Sequence, residues 1–141
     1  MSSEVKKSLG GATNYPEDGL VELPKGFEDA RGMIQPICDL PMKSAGLIAS
    51  RPGTIRANHY HKTDWHIDHL IKGAFDYYWR KVGDPNPPKC VHVVAGQSVF
   101  SGPMTEHALR FTEDSLQLVV SGNGRSQEEY EADVVRVPLI D

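Results

Sequence analysis

Short β-rich runs, each closed by glycine, proline or a polar turn, fill this chain from Met33 to Ser121. The runs are Met33–Cys38, Ala45–Ser50, Thr54–Tyr60, His66–Lys72, Ala74–Lys81, Cys90–Val94, Ser98–Phe100, Ala108–Phe111 and Leu116–Ser121, with Val134–Ile140 as a possible last strand. Gly73 turns one run into the next, and "GDPNPP" (Gly83–Pro88) is a loop that no strand interior accepts. Helical periodicity is weak throughout; a short helix is expected only near Ser126–Ala132. So many short strands with so little helix predict an all-β, single-domain barrel that removes its own sheet edges by closure. The 141 residues suit one domain, and 39% hydrophobic content suits a packed core. Residues 1–18 are expected to form a polar N-terminal arm and residues 19–141 the barrel domain.

Charge and composition exclude several classes. The formal net charge is −4, and lysine and arginine form no runs, so no nucleic acid is expected as a partner. No apolar run is long enough to span a bilayer, and the N-terminus has no apolar signal segment, so a cytoplasmic protein without a membrane partner is expected. Cys38 and Cys90 have no CxxC spacing and are expected to be reduced and simply packed.

Four of the six histidines lie between Gly53 and Gly73, in "GTIRANHYHKTDWHIDHLIKG". His59 and His61 are two apart, which on a strand turns both to one face, about 7 Å apart along the chain. Alone, such a pair reads as two half-exposed strand histidines. Here His66 opens the next run after a short turn, and His107 stands at another loop-to-strand entry. If adjacent strands bring these four together, they form a compact nitrogen site suited to Zn, Cu, Fe or Ni. His69, three residues from His66, is expected on the opposite face with a structural role; His92 is expected to be an ordinary core or surface histidine.

This spacing resembles the cupin superfamily. Its first motif runs Gly, five residues, His-x-His, three or four residues, Glu, six residues, Gly; Gly53, His59, His61, His66 and Gly73 fit every interval, with His66 in place of Glu. In the second motif Gly96 and His107 fit, while Gly102, Pro103, Met104 and Phe111 depart from the pattern. The resemblance implies a cupin barrel, an RmlC-like double-stranded β-helix or jelly roll. It also implies a divalent transition metal (Fe, Mn, Ni, Zn or Cu) on His59, His61, His66 and His107. Four neutral imidazoles leave the ion with its full charge, which strengthens it as a Lewis acid toward anionic oxygen ligands. A homodimer is also expected, because cupins commonly pair sheets or exchange N-terminal strands.

A second likeness covers most of the chain from Glu28. "EDARG" (Glu28–Gly32), "RANHYH" (Arg56–His61) and "YEADVVR" (Tyr130–Arg136) are similar to segments of dTDP-4-keto-6-deoxyhexose 3,5-epimerases and dTDP-hexose 3,4-ketoisomerases. It implies a sugar or sugar-nucleotide substrate, His61 or His59 as general base, and Tyr78 or Tyr77 as acid. A histidine bound to metal cannot also be a free base, so the two resemblances compete for the same rings.

Other candidates follow from alternation. In "FDYYWR" the aromatic face (Phe75, Tyr77, Trp79) is expected between the sheets, leaving Tyr78 and Arg80 to line the lumen. Asp68 shares the face of His66 and suits a proton acceptor or an orienting partner. Gln117, between Leu116 and Leu118, is expected to look into the lumen, and Arg31 to clamp an anionic group; Arg56 falls on the face opposite His59. The expected function is a metal-binding enzyme that isomerises or epimerises a carbonyl-bearing, anionic, sugar-derived small molecule. The alternatives are a cupin dioxygenase using Fe or Cu, and a non-catalytic, metal-stabilised sugar-binding or regulatory module.

Overall fold

A computed structural model describes residues 15–141. The elements are β1 (Gly19–Leu20), β2 (Phe27–Asp29), β3 (Gly32–Ile34), β4 (Ser44–Ser50), β5 (Ile55–His61), β6 (His66–Lys72), β7 (Ala74–Lys81), β8 (Lys89–Val94), β9 (Ser98–Ser101), β10 (Thr105–Phe111), β11 (Ser115–Ser121), α1 (Gln127–Asp133) and β12 (Val134–Arg136). One sheet runs β1-β9-β6-β11-β4, the facing sheet β12-β5-β10-β7-β8, and β2-β3 forms a separate hairpin. All pairings are antiparallel. This is the all-β jelly roll that the strand pattern predicts.

The ends of the expected runs move where proline removes a donor. Met33–Cys38 contributes only Ile34 and Met33 to a strand before Pro36, and the last strand stops at Arg136 before Pro138. Ser126 caps α1, accepting a hydrogen bond from Glu129 N at 3.2 Å. Residues 1–14 of the expected arm lie outside the described residues. Residues 15–18 are packed: Tyr15 lies 5.6 Å from the Phe100 ring, and the Asp18 carboxylate accepts from Gly102 N and Thr105 Oγ1, both at 2.8 Å.

Two apolar clusters hold the barrel. Inside, Leu70, Phe75, Tyr77, Val93, Val99, Leu109 and Phe111 fill one end of the space between the sheets. Each fully buried aromatic or leucine there contributes roughly 1.5–3 kcal/mol of transfer free energy. Outside, Trp65, Ile67, Phe100 and Val120 pack under Tyr15, Val21, Ile37 and Leu40, so the first sheet is covered on both faces. That is why β9 is buried at all four positions. The β6–β7 connection is the single residue Gly73, at φ 98°; a Cβ there would overlap Ser115 Oγ and the Asp114 carbonyl.

The other end of the interior is polar, because β5 bulges. His107 pairs with His59 but Ala108 pairs with Ala57, so Asn58 is an extra residue, and Ala57 and Asn58 have φ of 69° and 55°. Asn58 also holds the C-terminus, donating from Nδ2 to Ile140 O at 2.9 Å and accepting from Ile140 N at 3.1 Å.

Candidate metal and proton-transfer site

The bulge turns His59 and His61 into the lumen from β5, while β10 supplies His107 beside them. His66 reaches the same space from the opposite sheet. The sequence predicts β5 and β6 as adjacent antiparallel strands, but they lie in different sheets, because Lys62–Trp65 carries the chain across the barrel from one sheet to the other. The ring centroids of His59 and His61 lie 4.7 Å apart, those of His59 and His107 4.9 Å, and those of His61 and His66 4.4 Å. All four side chains are buried.

Hydrogen bonds fix the tautomers. His61 Nδ1–H donates to Asp133 Oδ2 at 3.1 Å, which leaves its Nε2 lone pair buried and without a partner. His107 Nδ1–H donates to the Thr105 carbonyl at 3.0 Å. His66 Nε2–H donates to Asp64 Oδ2 at 3.1 Å. Burial, reinforced by the crowding of the rings, lowers the pKa of His59 to about 2, of His61 to about 4 and of His107 to about 3. The three rings are therefore neutral at pH 7, with lone pairs available.

The acids around them differ. Burial alone would raise the Asp133 carboxyl, but the Thr63 hydroxyl and N–H, His61 and the Asp64 N–H hold it below the ordinary carboxylate range. Asp64 is likewise held low against burial, by His66 and the Asn123 N–H. In Asp68 burial wins and raises the carboxyl, although Gln117 Nε2 donates to its Oδ1 at 2.6 Å. Gln117 Oε1 has no partner.

The donor set fits a transition ion. Ligand atoms of His59, His61 and His107 lie within 4.8 Å of one another, as do those of His61, Asp64 and His66. The rings are neutral, two have their far nitrogen fixed by a hydrogen-bond acceptor, and one carries an orphaned buried lone pair; ligand histidines are held in this way. A cavity of about 230 Å³ opens onto them, bounded by His59, His66, His107, Asp68, Gln117 and Tyr130. Arg125 and Arg56 reach its wall, and the Arg125 guanidinium lies 5.6 Å over the Tyr130 ring. Tyr130 stands 5.9 Å from the His61 ring, its phenol pKa raised by burial.

Several sequence expectations are corrected in placement. Tyr78 and Arg80 do not line the lumen, because the space between the sheets is the lumen and the aromatic face already occupies it. Tyr77 is the buried tyrosine, bonded through its hydroxyl to Ser101 Oγ. Tyr78 lies outside against Arg110, and Arg80 is paired with Glu106 at 2.9 Å. Arg31 sits on the exposed β2–β3 hairpin, paired with Asp29 at 2.6 Å. Arg56 is not opposite the histidines: the bulge shifts alternation by one, so it pairs with inward-facing Leu109 and reaches the cavity. Asp68 and Gln117 do face the lumen. His69 faces away, against Ser98 Oγ at 2.7 Å, and His92 is exposed, bonded to Asp76. Cys38 and Cys90 are free thiols; Cys38 is half-buried, but Cys90 is exposed on β8 rather than packed, because that strand is an edge of its sheet.

Spacing along the strands does not mark Asp64, Arg125, Tyr130 or Asp133 as site residues. A signal existed for two of them: Tyr130 and Asp133 are three apart on a helix, hence on one face, inside the epimerase-like "YEADVVR".

No protein-family model matches the chain, and no curated protein matches it. Solved structures do. A 3,4-ketoisomerase from Helicobacter canadensis superposes with a TM-score of 0.69 at 17% identity, over 86% of this chain and 92% of that one. A sugar 3,4-ketoisomerase from Thermoanaerobacterium thermosaccharolyticum in complex with TDP gives 0.66 at 19% identity, over 83% and 85%. The fold is that of the RmlC-like cupins. A 4-keto-6-deoxy sugar epimerase from Streptomyces spheroides shares this cupin jelly roll, with a TM-score of 0.66 at 17% identity, over 82% of this chain and 66% of that one. Among the described residues, no helix is long and apolar enough to cross a membrane.

Proposed function

We propose that the lumen is the active site of a metal-dependent isomerase or epimerase acting on a carbonyl-bearing, anionic, sugar-derived substrate. The observation that carries this reading is the buried, partnerless Nε2 of His61, aimed among neutral rings by Asp133. His59, His61 and His107 would hold a divalent transition ion, with His66 beside them. Such an ion would supply Lewis acidity toward a carbonyl oxygen. The remaining steps fall to side chains that do not need to leave an ion. Asp68, its pKa raised by burial, takes a proton from the carbon beside the carbonyl; a carboxylate with a raised pKa is a stronger base than an exposed one. Tyr130, kept protonated, delivers one at the neighbouring position. Arg125 binds the substrate's anionic group, and Gln117 orients a hydroxyl through its free Oε1.

The cavity is smaller than the usual ligand site and fits at most a sugar-sized group, so any nucleotide portion would lie beyond the mouth. Ketoisomerases and epimerases of dTDP-sugars among the structural neighbours support the substrate class. We also propose a homodimer, supported by the hairpin that leaves Phe27, Met33 and Ile34 exposed; light scattering tests it, and a monomer at all concentrations removes it. For the enzyme, elemental analysis of the purified protein should give a stoichiometric transition metal that His61→Ala loses. Incubation with a 4-keto sugar nucleotide in D₂O should then place deuterium beside the carbonyl. No metal, or no exchange by the metal-loaded protein, sinks the reading.

A further inference from the structure

Two groups of ligand atoms in the lumen share His61: one with His59 and His107, the other with Asp64 and His66. We propose that Asp64 is itself a metal ligand and that, with His61 and His66, it supplies the anionic part of the site. This inference rests on the metal-dependent reading above and assigns the carboxylate that reading lacks.

Four observations carry it. Asp64 is buried at 5% exposure, on the Lys62–Trp65 crossing that delivers His66. Its Oδ1 is fixed by two backbone donors, Trp65 N and Asn123 N, both at 2.8 Å. Its Oδ2 has His66 as its one hydrogen-bond partner, which leaves that oxygen a lone pair to spare. The neighbouring acids are not equivalent. Asp133 is engaged by Thr63, His61 and the Asp64 N–H, and Asp68 is turned to Gln117. Asp64, and not Asp68 or Asp133, offers a carboxylate oxygen within 4.8 Å of ring nitrogens of both His61 and His66, whose rings lie 4.4 Å apart.

Charge explains why such a ligand is needed. A dication among neutral imidazoles would keep its whole charge in a buried space, which is costly unless paired. One carboxylate lowers the centre from +2 to +1. Position 66 carries histidine where the cupin pattern has glutamate, and Asp64 restores the missing charge from two residues earlier. Coordination through His66 Nε2 would replace its bond to Asp64 and leave the ring proton on Nδ1.

Crystals of the full-length protein soaked in cobalt(II) test this through an anomalous difference map. The expected peak lies within about 2.2 Å of Asp64 Oδ2, the usual distance from a transition ion to a carboxylate oxygen. Cobalt bound to His59, His61 and His107, with Asp64 still on His66, overturns the inference and leaves the metal reading standing. No cobalt in the lumen removes both. In solution, Asp64→Asn should raise the cobalt Kd at least tenfold and shift the visible d–d spectrum. Asp133→Asn, which changes only a positioning residue, should raise the Kd without moving the bands. An unchanged spectrum in Asp64→Asn, shown to be folded by circular dichroism, overturns the inference whatever its Kd. If that variant does not fold, the map of the unaltered protein decides.

Discussion

His61 Nδ1–H donates to the Asp133 carboxylate at 3.1 Å, and the two residues are 72 positions apart in the chain. This bond selects the tautomer that leaves Nε2 with a free lone pair, buried among the histidine rings. It also ties the C-terminal helix to the histidine cluster, since Asp133 is the last residue of α1 and Tyr130 lies one turn earlier.

Asp133→Asn should therefore weaken metal binding about 10- to 100-fold, the usual cost of losing a partner that orients a ligand histidine. Competition against a chromophoric chelator measures it. An affinity equal to that of the unaltered protein would show that the helix does not position His61.

The metal-free protein should lose stability steeply with acid. His59, His61 and His107 titrate near 6.5 when unfolded but at about 2, 4 and 3 when folded. Below about pH 6.5 the unfolded chain binds protons that the folded one refuses, so stability present at neutral pH is lost as pH falls toward 4. Each histidine contributes up to about 1.4 kcal/mol per pH unit in that window. Urea titrations at pH 7, 6 and 5 should show a falling midpoint, and His59→Gln should flatten the slope. A midpoint independent of pH would contradict the burial of neutral rings.

Cavity and outer-face residues should separate in kinetics. Tyr130→Phe should lower kcat about 10²- to 10⁴-fold, as expected on removing a proton donor, while keeping the metal. Arg125→Ala should raise KM about tenfold or more through one lost charge-assisted hydrogen bond. Tyr78→Phe and Arg80→Ala should each change kcat/KM less than twofold, since both lie outside the barrel. A large loss from either outer-face change would place the chemistry elsewhere.

Ala57→Gly should stabilise the fold by roughly 1 kcal/mol, because Ala57 sits at φ 69°, where a Cβ is strained. Thermal melting reads this directly. A lower midpoint would mean that packing of the Ala57 methyl against the inner cluster outweighs the strain.

The sequence by itself determined the barrel and the lumen residues that depend on local spacing. Alternation on β6 put His66 and Asp68 on one face and His69 on the other, and the β11 pattern turned Gln117 inward. Period-2 logic needs only unbroken strands, and β6 and β11 are unbroken there. It failed at β5, where the bulge at Asn58 reversed parity and brought Arg56 to the cavity. At β7 alternation held and put Phe75 and Tyr77 between the sheets; Tyr78 and Arg80 were misplaced because that inter-sheet space is itself the lumen. Only the tertiary structure decided the partners of the histidines. Asp133 approaches His61 through a helix that closes one end of the barrel, and Asp64 meets His66 because the chain crosses between sheets at that point. Contacts of this kind are made by the closure of the fold and leave no period in the chain.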